Sequence, residues 1–147
     1  MRFLRRTWKW AAIGIVVLLV AIQFVPYGRD HTNPTGGQPI SWNSPRTEEL
    51  MRGACMDCHS NETEWPWYSN VAPVSWLVQR DVEEGRDTLN LSTGEPEVQE
   101  MIEAIQEGEM PPWQYKPAHP GARLSASEKR ELIRGLQATF GVTAQRP

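Results

Sequence analysis

Cys55, Cys58 and His59 form the stretch Cys-Met-Asp-Cys-His, and these two cysteines are the only ones in the chain. Thiols three positions apart lie about one helical turn from each other, a spacing that suits thioethers to the two vinyl groups of a haem. The histidine that follows is placed to ligate iron from the proximal side. Two other chemistries use paired thiols. A redox disulfide between Cys55 and Cys58 calls for a preceding strand in a βαβ setting, which the surrounding sequence lacks. A structural zinc site needs four ligands, usually in two pairs, and the remaining histidines, His31 and His119, are scattered. The residues favour haem c, one group per chain, covalently attached.

The second axial ligand has two candidates. Met110 lies in Gly-Glu-Met-Pro-Pro-Trp, residues 108–113, where two prolines stiffen the loop leaving a predicted helix. A thioether opposite histidine gives the His/Met iron of electron-carrying cytochromes. His119, held between Pro117 and Pro120, is the alternative distal ligand, and simple packing at a turn is the plainer reading of Met110. Met51, Met56 and Met101 fall on helical segments and read as core or surface. Trp65, Trp67 and Tyr68 follow the cysteine motif closely, and with Trp76 and Trp113 they are candidates for a shell around the ring. Ordinary core filling is the alternative, and in a haem domain the two nearly coincide. Tyr68 and Trp113 are candidate donors to a propionate.

The elements that must position these residues are helical. Thr47 opens a helix with an acidic first turn that runs into Cys55. Residues 73–84 start at proline and stop before Gly85. Val98, Met101, Ile102 and Ile105 mark one apolar face, ended by Gly108. Ser125 and Glu128 form a capping box, with Leu132, Ile133, Leu136 and Phe140 as the inward stripe before Gly141. No useful length alternates with period two, so the expected fold class is all-α. The apolar residues are few for the loops they must support, and a cofactor is expected to fill the middle.

Charge divides the chain. Residues 1–28 carry Arg2, Arg5, Arg6 and Lys9 and no acid, leaving 11 basic and 18 acidic residues elsewhere, a net of −7 there. From Trp10 to Gly28 there is no charge, a run of roughly 28 Å as helix and close to the thickness of a bilayer core. Basic residues ahead of the run put the N-terminus in the cytoplasm, and Trp8, Trp10 and Tyr27 sit where interfacial aromatics belong. A cleaved signal peptide fits the same pattern, but the run ends in Gln-Phe-Val-Pro-Tyr without the small residues that cleavage needs. The expected organisation is an N-terminal transmembrane signal anchor over 1–28, a flexible linker over 29–45, a c-type haem-binding domain over 46–141 and a tail over 142–147. His31, in the linker, is expected to be solvated. A single-pass protein of the bacterial inner membrane with its haem domain in the periplasm follows. The overall charge of −3 gives no sign of nucleic-acid binding.

The stretch CMDCHSNETEWPWYSNVAPVSWLV, followed by EGEMPPWQYKPAHPGARLS and a last amphipathic helix, resembles the bacterial haem-binding domain family of the cytochrome c-like class. The resemblance implies covalent haem on Cys55 and Cys58, iron ligation by His59, and a small cytochrome c-like domain wrapped around the haem, its first and last helices packed across one another. It defines no reaction.

Two function classes remain. One is a membrane-tethered, non-enzymatic electron carrier, with an acidic face (Asp81, Glu83, Glu84, Glu95, Glu97, Glu100, Glu103) suited to a basic redox partner. Those acids also read as an ordinary solvated helix face. The other class is a haem sensor, or a haem protein that binds gas or peroxide at an open distal site.

Overall fold

An uncharged run of this length satisfies its backbone polar groups only as a helix when water is absent, and residues 10–21 of it form the second half of α1 (Arg2–Ala21), closed by a 3-10 turn at Ile22–Phe24. The computed structural model describes residues 2–94 and 96–142, with side chains from Thr7 onward. Glu95 and the tail residues 143–147 lie outside the described residues. Thr7–Phe24 has a mean hydropathy of 1.8, and among the described residues it is the one span long and apolar enough to cross a membrane.

No strand occurs among the described residues. Beyond α1 the helices are α2 (Pro45–Met51), α3 (Val74–Thr88), α4 (Val98–Glu107) and α5 (Ala126–Phe140). The chain divides into two compact units: one of residues 1–32 and 65–81, the other of 33–64 and 82–147. α3 therefore belongs to the first unit up to Asp81 and to the second from Val82.

In the first unit the end of α1 is tied to the turn before α3. The Gln23 amide donates to the carbonyls of Leu19 and Ala72, both at 2.9 Å, and its oxygen accepts from the Ala72 N–H at 3.0 Å. Gly28, at φ +78°, is buried against the Ser75 carbonyl, where a Cβ would come within 2.6 Å of the oxygen. His31 is not solvated. It stacks on Trp65 with ring centroids 4.5 Å apart, and its Nε2 lies 3.0 Å from the Ser69 carbonyl oxygen.

The second unit holds the apolar core: Leu50, Met51, Met56, Leu91, Val98, Ile102, Ile105, Leu132 and Leu136. Helix α2 begins earlier than the sequence suggests. Ser44, not Thr47, is the cap: its hydroxyl accepts from the Thr47 N–H at 3.1 Å, and Pro45 takes the first helical position, where a missing N–H costs nothing. Thr47 is buried instead, at the place where α2 meets α5. Gly135 of α5 faces it there, and a Cβ would overlap the threonine side chain. The first and last helices of this unit thus pack against each other. α5 starts with the expected capping box, in which Ser125 accepts from the Glu128 N–H and the Glu128 carboxylate accepts from the Ser125 N–H. α4 ends at Gly108, left-handed at φ +82°.

Residues 33–43 have no helix or strand, yet they are fastened to this unit. The Gln38 N–H donates to the Ser92 carbonyl at 3.0 Å, Asn33 donates to the Thr63 carbonyl, and Ile40 and Trp42 pack on the core.

Candidate haem-binding site

The helix that starts at Pro45 does not stop at Met51. It continues through a π-type turn at Arg52–Met56 and a last α-helical turn at Asp57–His59. Cys55 lies in the widened turn, and Cys58 and His59 in the turn that follows, so the motif ends a helix as its chemistry requires. Insertions of this kind inside helices recur at functional sites.

Gly85 explains how α3 approaches the motif. The sequence marks it as a stop, but the helix runs on to Thr88 and Gly85 is buried in its middle. A Cβ there would come within 2.6 Å of the Cys58 carbonyl oxygen. The glycine is a point of close approach. The next residue, Arg86, fastens the residues after the motif: its guanidinium donates to the Ser60 carbonyl, the Thr63 hydroxyl and the Asn33 side-chain oxygen, each at 2.8 Å. Its partial burial lowers its pKa from the usual value.

His59 is oriented by backbone. Its Nδ1 lies 3.1 Å from the Leu89 carbonyl oxygen, and its own carbonyl accepts from the Leu91 N–H at 2.8 Å. A carbonyl can only accept, so Nδ1 is the donor in this contact, and Nε2 is the ring nitrogen it leaves unengaged. Metal-binding histidines are fixed by this kind of outer contact.

Cys55, His59 and Met110 line one cavity of about 380 Å³, within the range of small-molecule and cofactor sites. Leu89, Leu91, Met101, Ala104 and Ile105 supply its apolar wall, and Glu97, Glu100 and Glu109 are the charged residues of the lining. Cys55 keeps some accessible surface. Enough protein surrounds its sulfur that burial pushes the thiol up to about 12, with the Cys58 thiol adding a smaller effect. A redox-active Cys-x-x-Cys has the opposite property, a thiol pKa below the ordinary value.

The loop carrying Met110 is pinned on both sides. The Met110 N–H donates to the Ala104 carbonyl at 3.1 Å, Pro111 is fully buried, and the Tyr115 hydroxyl donates to the Asp57 carboxylate at 2.6 Å. Asp57 lies between the two cysteines, so the motif and the methionine loop share an anchor. His119 stacks on Tyr115 at 3.6 Å, with its Nδ1 2.9 Å from the Tyr115 carbonyl oxygen. It is not among the residues lining the cavity.

The aromatic candidates fall elsewhere. Trp113 is 79% exposed and is not part of the lining. Trp65, Trp67 and Tyr68 belong to the first unit, where Trp67 meets Tyr68 edge to face with centroids 5.8 Å apart. Sequence reasoning missed Leu89, Tyr115 and Arg86 as supports. Only Tyr115 left a trace, as one of two aromatics, with Trp113, in a proline-bounded loop.

A family model described as a haem-binding domain matches residues 17–138, including the second part of α1 and the whole segment ahead of α2. Neither the curated proteins nor the solved structures contain a significant match to the chain. With most of its length matched, and a cysteine, a ligand-ready histidine and a methionine around one cavity, this chain belongs to the haem-binding domain family.

Proposed function

We propose that the protein is a membrane-anchored c-type cytochrome of the periplasm that carries electrons through one covalently attached haem. The single observation behind this reading is the cavity that Cys55, His59 and Met110 line together. The donors suit the group: the Cys55 thiol, the His59 imidazole and the Met110 thioether in the cavity lining, with Cys58 one residue before His59. Cys55 and Cys58 would hold the haem through thioethers, and His59 and Met110 would supply its iron ligands.

When bound, the haem supplies a one-electron iron couple, and a methionine ligand raises its potential above that of a bis-histidine haem. The chain's own contribution is positional. Leu89 fixes the imidazole tautomer, the Tyr115–Asp57 bond ties the methionine loop to the cysteine motif, and the apolar lining keeps water from the ring. Glu97, Glu100 and Glu109 add negative charge to the cavity lining, and all three are exposed, which favours a redox partner with a basic docking face. Reaction with such a partner slows as salt is added.

A visible spectrum of the full-length protein tests the function class. A low-spin haem with a methionine-to-iron band near the red edge supports the carrier. A high-spin haem that takes up carbon monoxide without prior loss of a ligand would make the protein a gas or peroxide binder, a sensor in place of a carrier.

A further inference from the structure

Exposed large apolar side chains are unevenly distributed. Among the described residues, all of them except Met110 and Trp113 belong to the first unit. Nine lie along α1 itself, and Phe24, Val25 and Tyr27 follow it directly. Four more stand apart in sequence: Trp67, Val71, Val74 and Leu77, with exposures of 79, 46, 41 and 57%. They fall at intervals of three or four residues across the 3-10 turn at Trp67–Asn70 and the first turn of α3. A water-soluble surface seldom carries so large a set of neighbouring apolar groups without a partner.

The same segment is tied to one particular depth. Gln23 lies next to the last residue of the candidate span, and its amide holds the Ala72 backbone by both its N–H and its carbonyl. The buried Gly28 holds the Ser75 carbonyl in the same way by close approach. Residues 67–77 are therefore fixed at the level where α1 leaves the hydrocarbon. α3 is also graded along its axis: its first turns read Val-Ser-Trp-Leu-Val, while Arg80, Asp81, Glu83, Glu84, Arg86 and Asp87 crowd its second half. The apolar end, tied to the end of the span at Ala72 and Ser75, suits the acyl-chain side of the interface.

We propose that Trp67, Val71, Val74 and Leu77 form a lipid-contacting collar, seated in the outer interface of the same bilayer that α1 crosses. Trp67 takes the headgroup level that suits an indole, as Trp8 and Trp10 do at the opposite end of the span. The first unit is then a membrane-seated base. This inference rests on the reading of α1 as an uncleaved anchor.

Photo-crosslinking in native membranes tests it with the full chain. A benzophenone amino acid is placed singly at Leu18, Trp67, Leu77 and Trp113, and the adducts are identified by mass spectrometry. The collar gives phospholipid adducts at 67 and 77 as at 18, and none at 113. Protein adducts at 67 and 77 would mean that a partner protein covers this face, and the lipid collar would be wrong. The same holds if 67 and 77 give no adduct while 18 gives lipid. Absence of lipid adducts at position 18 would strike instead at the anchor itself, so the two failures are told apart.

Discussion

The two units solve opposite problems with the same residue types. In the second, leucine, isoleucine and methionine are buried in one core: Met51, Leu132 and Leu136 have no accessible surface. In the first, the apolar side chains face outward, with Leu18 at 61% exposure and Trp67 at 79%. A core excludes water by packing against itself, and such a surface is stable only against another apolar phase. The contrast teaches that hydrophobicity alone does not locate this protein's centre. What marks the second unit as the site is the meeting of apolar walls with a cysteine, an oriented imidazole and a thioether.

Matched substitutions make the contrast measurable, and the largest effect belongs to glycine. Gly135→Ala forces a Cβ into Thr47 where α2 and α5 cross, and is expected to cost about 3 kcal/mol in urea unfolding followed at the haem absorbance. Gly14→Ala in α1 has nothing within 4 Å of the new carbon and is expected to leave that unfolding unchanged. Equal losses at both positions would erase the distinction between the units. Leucine gives the same test on the core. Leu132→Ala should lose about 3 kcal/mol through the cavity it leaves, whereas Leu18→Ala should lose none from the second unit.

These positions also show how far the sequence could be read. The capping box of α5 and the glycine stop of α4 were legible, because each is a local pattern whose partners lie within a few residues. Gly85 was misleading. Its reason for being glycine is the Cys58 carbonyl, 27 positions back in the chain, and no local rule sees that. The cysteine motif stands out in the sequence for the same reason as the cap: its three residues fall within five consecutive positions. Its supports do not, since Leu89 stands 30 residues from His59 and Tyr115 stands 58 from Asp57. The prolines that flank His119 point to a fixed loop, but no local pattern shows its stack on Tyr115. The segment 29–45 lacks periodicity and so read as a linker, although residues 33–43 are held by hydrogen bonds that only a folded partner can supply.

A smaller effect probes the shared anchor. Tyr115→Phe keeps the ring stacked on His119 and removes only the bond to Asp57, an expected loss of about 2 kcal/mol. Because Met110 lies between that anchor and Ala104, the variant should also weaken the methionine-to-iron band and speed carbon monoxide binding. A loss of stability with both optical signatures intact would leave Tyr115 a purely structural residue. The smallest effect is on pH. Hydrogen bonds from Ser125, with help from Arg46, hold the Glu128 carboxyl below its usual 4.5. A lowered folded pKa means that the cap's contribution is present above about 4.5 and fades as pH falls through the folded value. Glu128→Gln should therefore flatten the acid limb of the stability profile, and an unchanged limb would remove the cap from the explanation.

The most direct test of the site is the visible spectrum of the full-length protein and its Met110→Ala variant, read together with the haem stain of the denatured chain. Thioethers at Cys55 and Cys58 predict that haem stays with both polypeptides after denaturation. Ligation by His59 and Met110 predicts a low-spin spectrum with the methionine-to-iron band in the parent protein, and its loss, with carbon monoxide binding gained, in Met110→Ala. Haem that leaves the denatured parent chain, or a low-spin spectrum that survives Met110→Ala and disappears in His119→Ala, would contradict it.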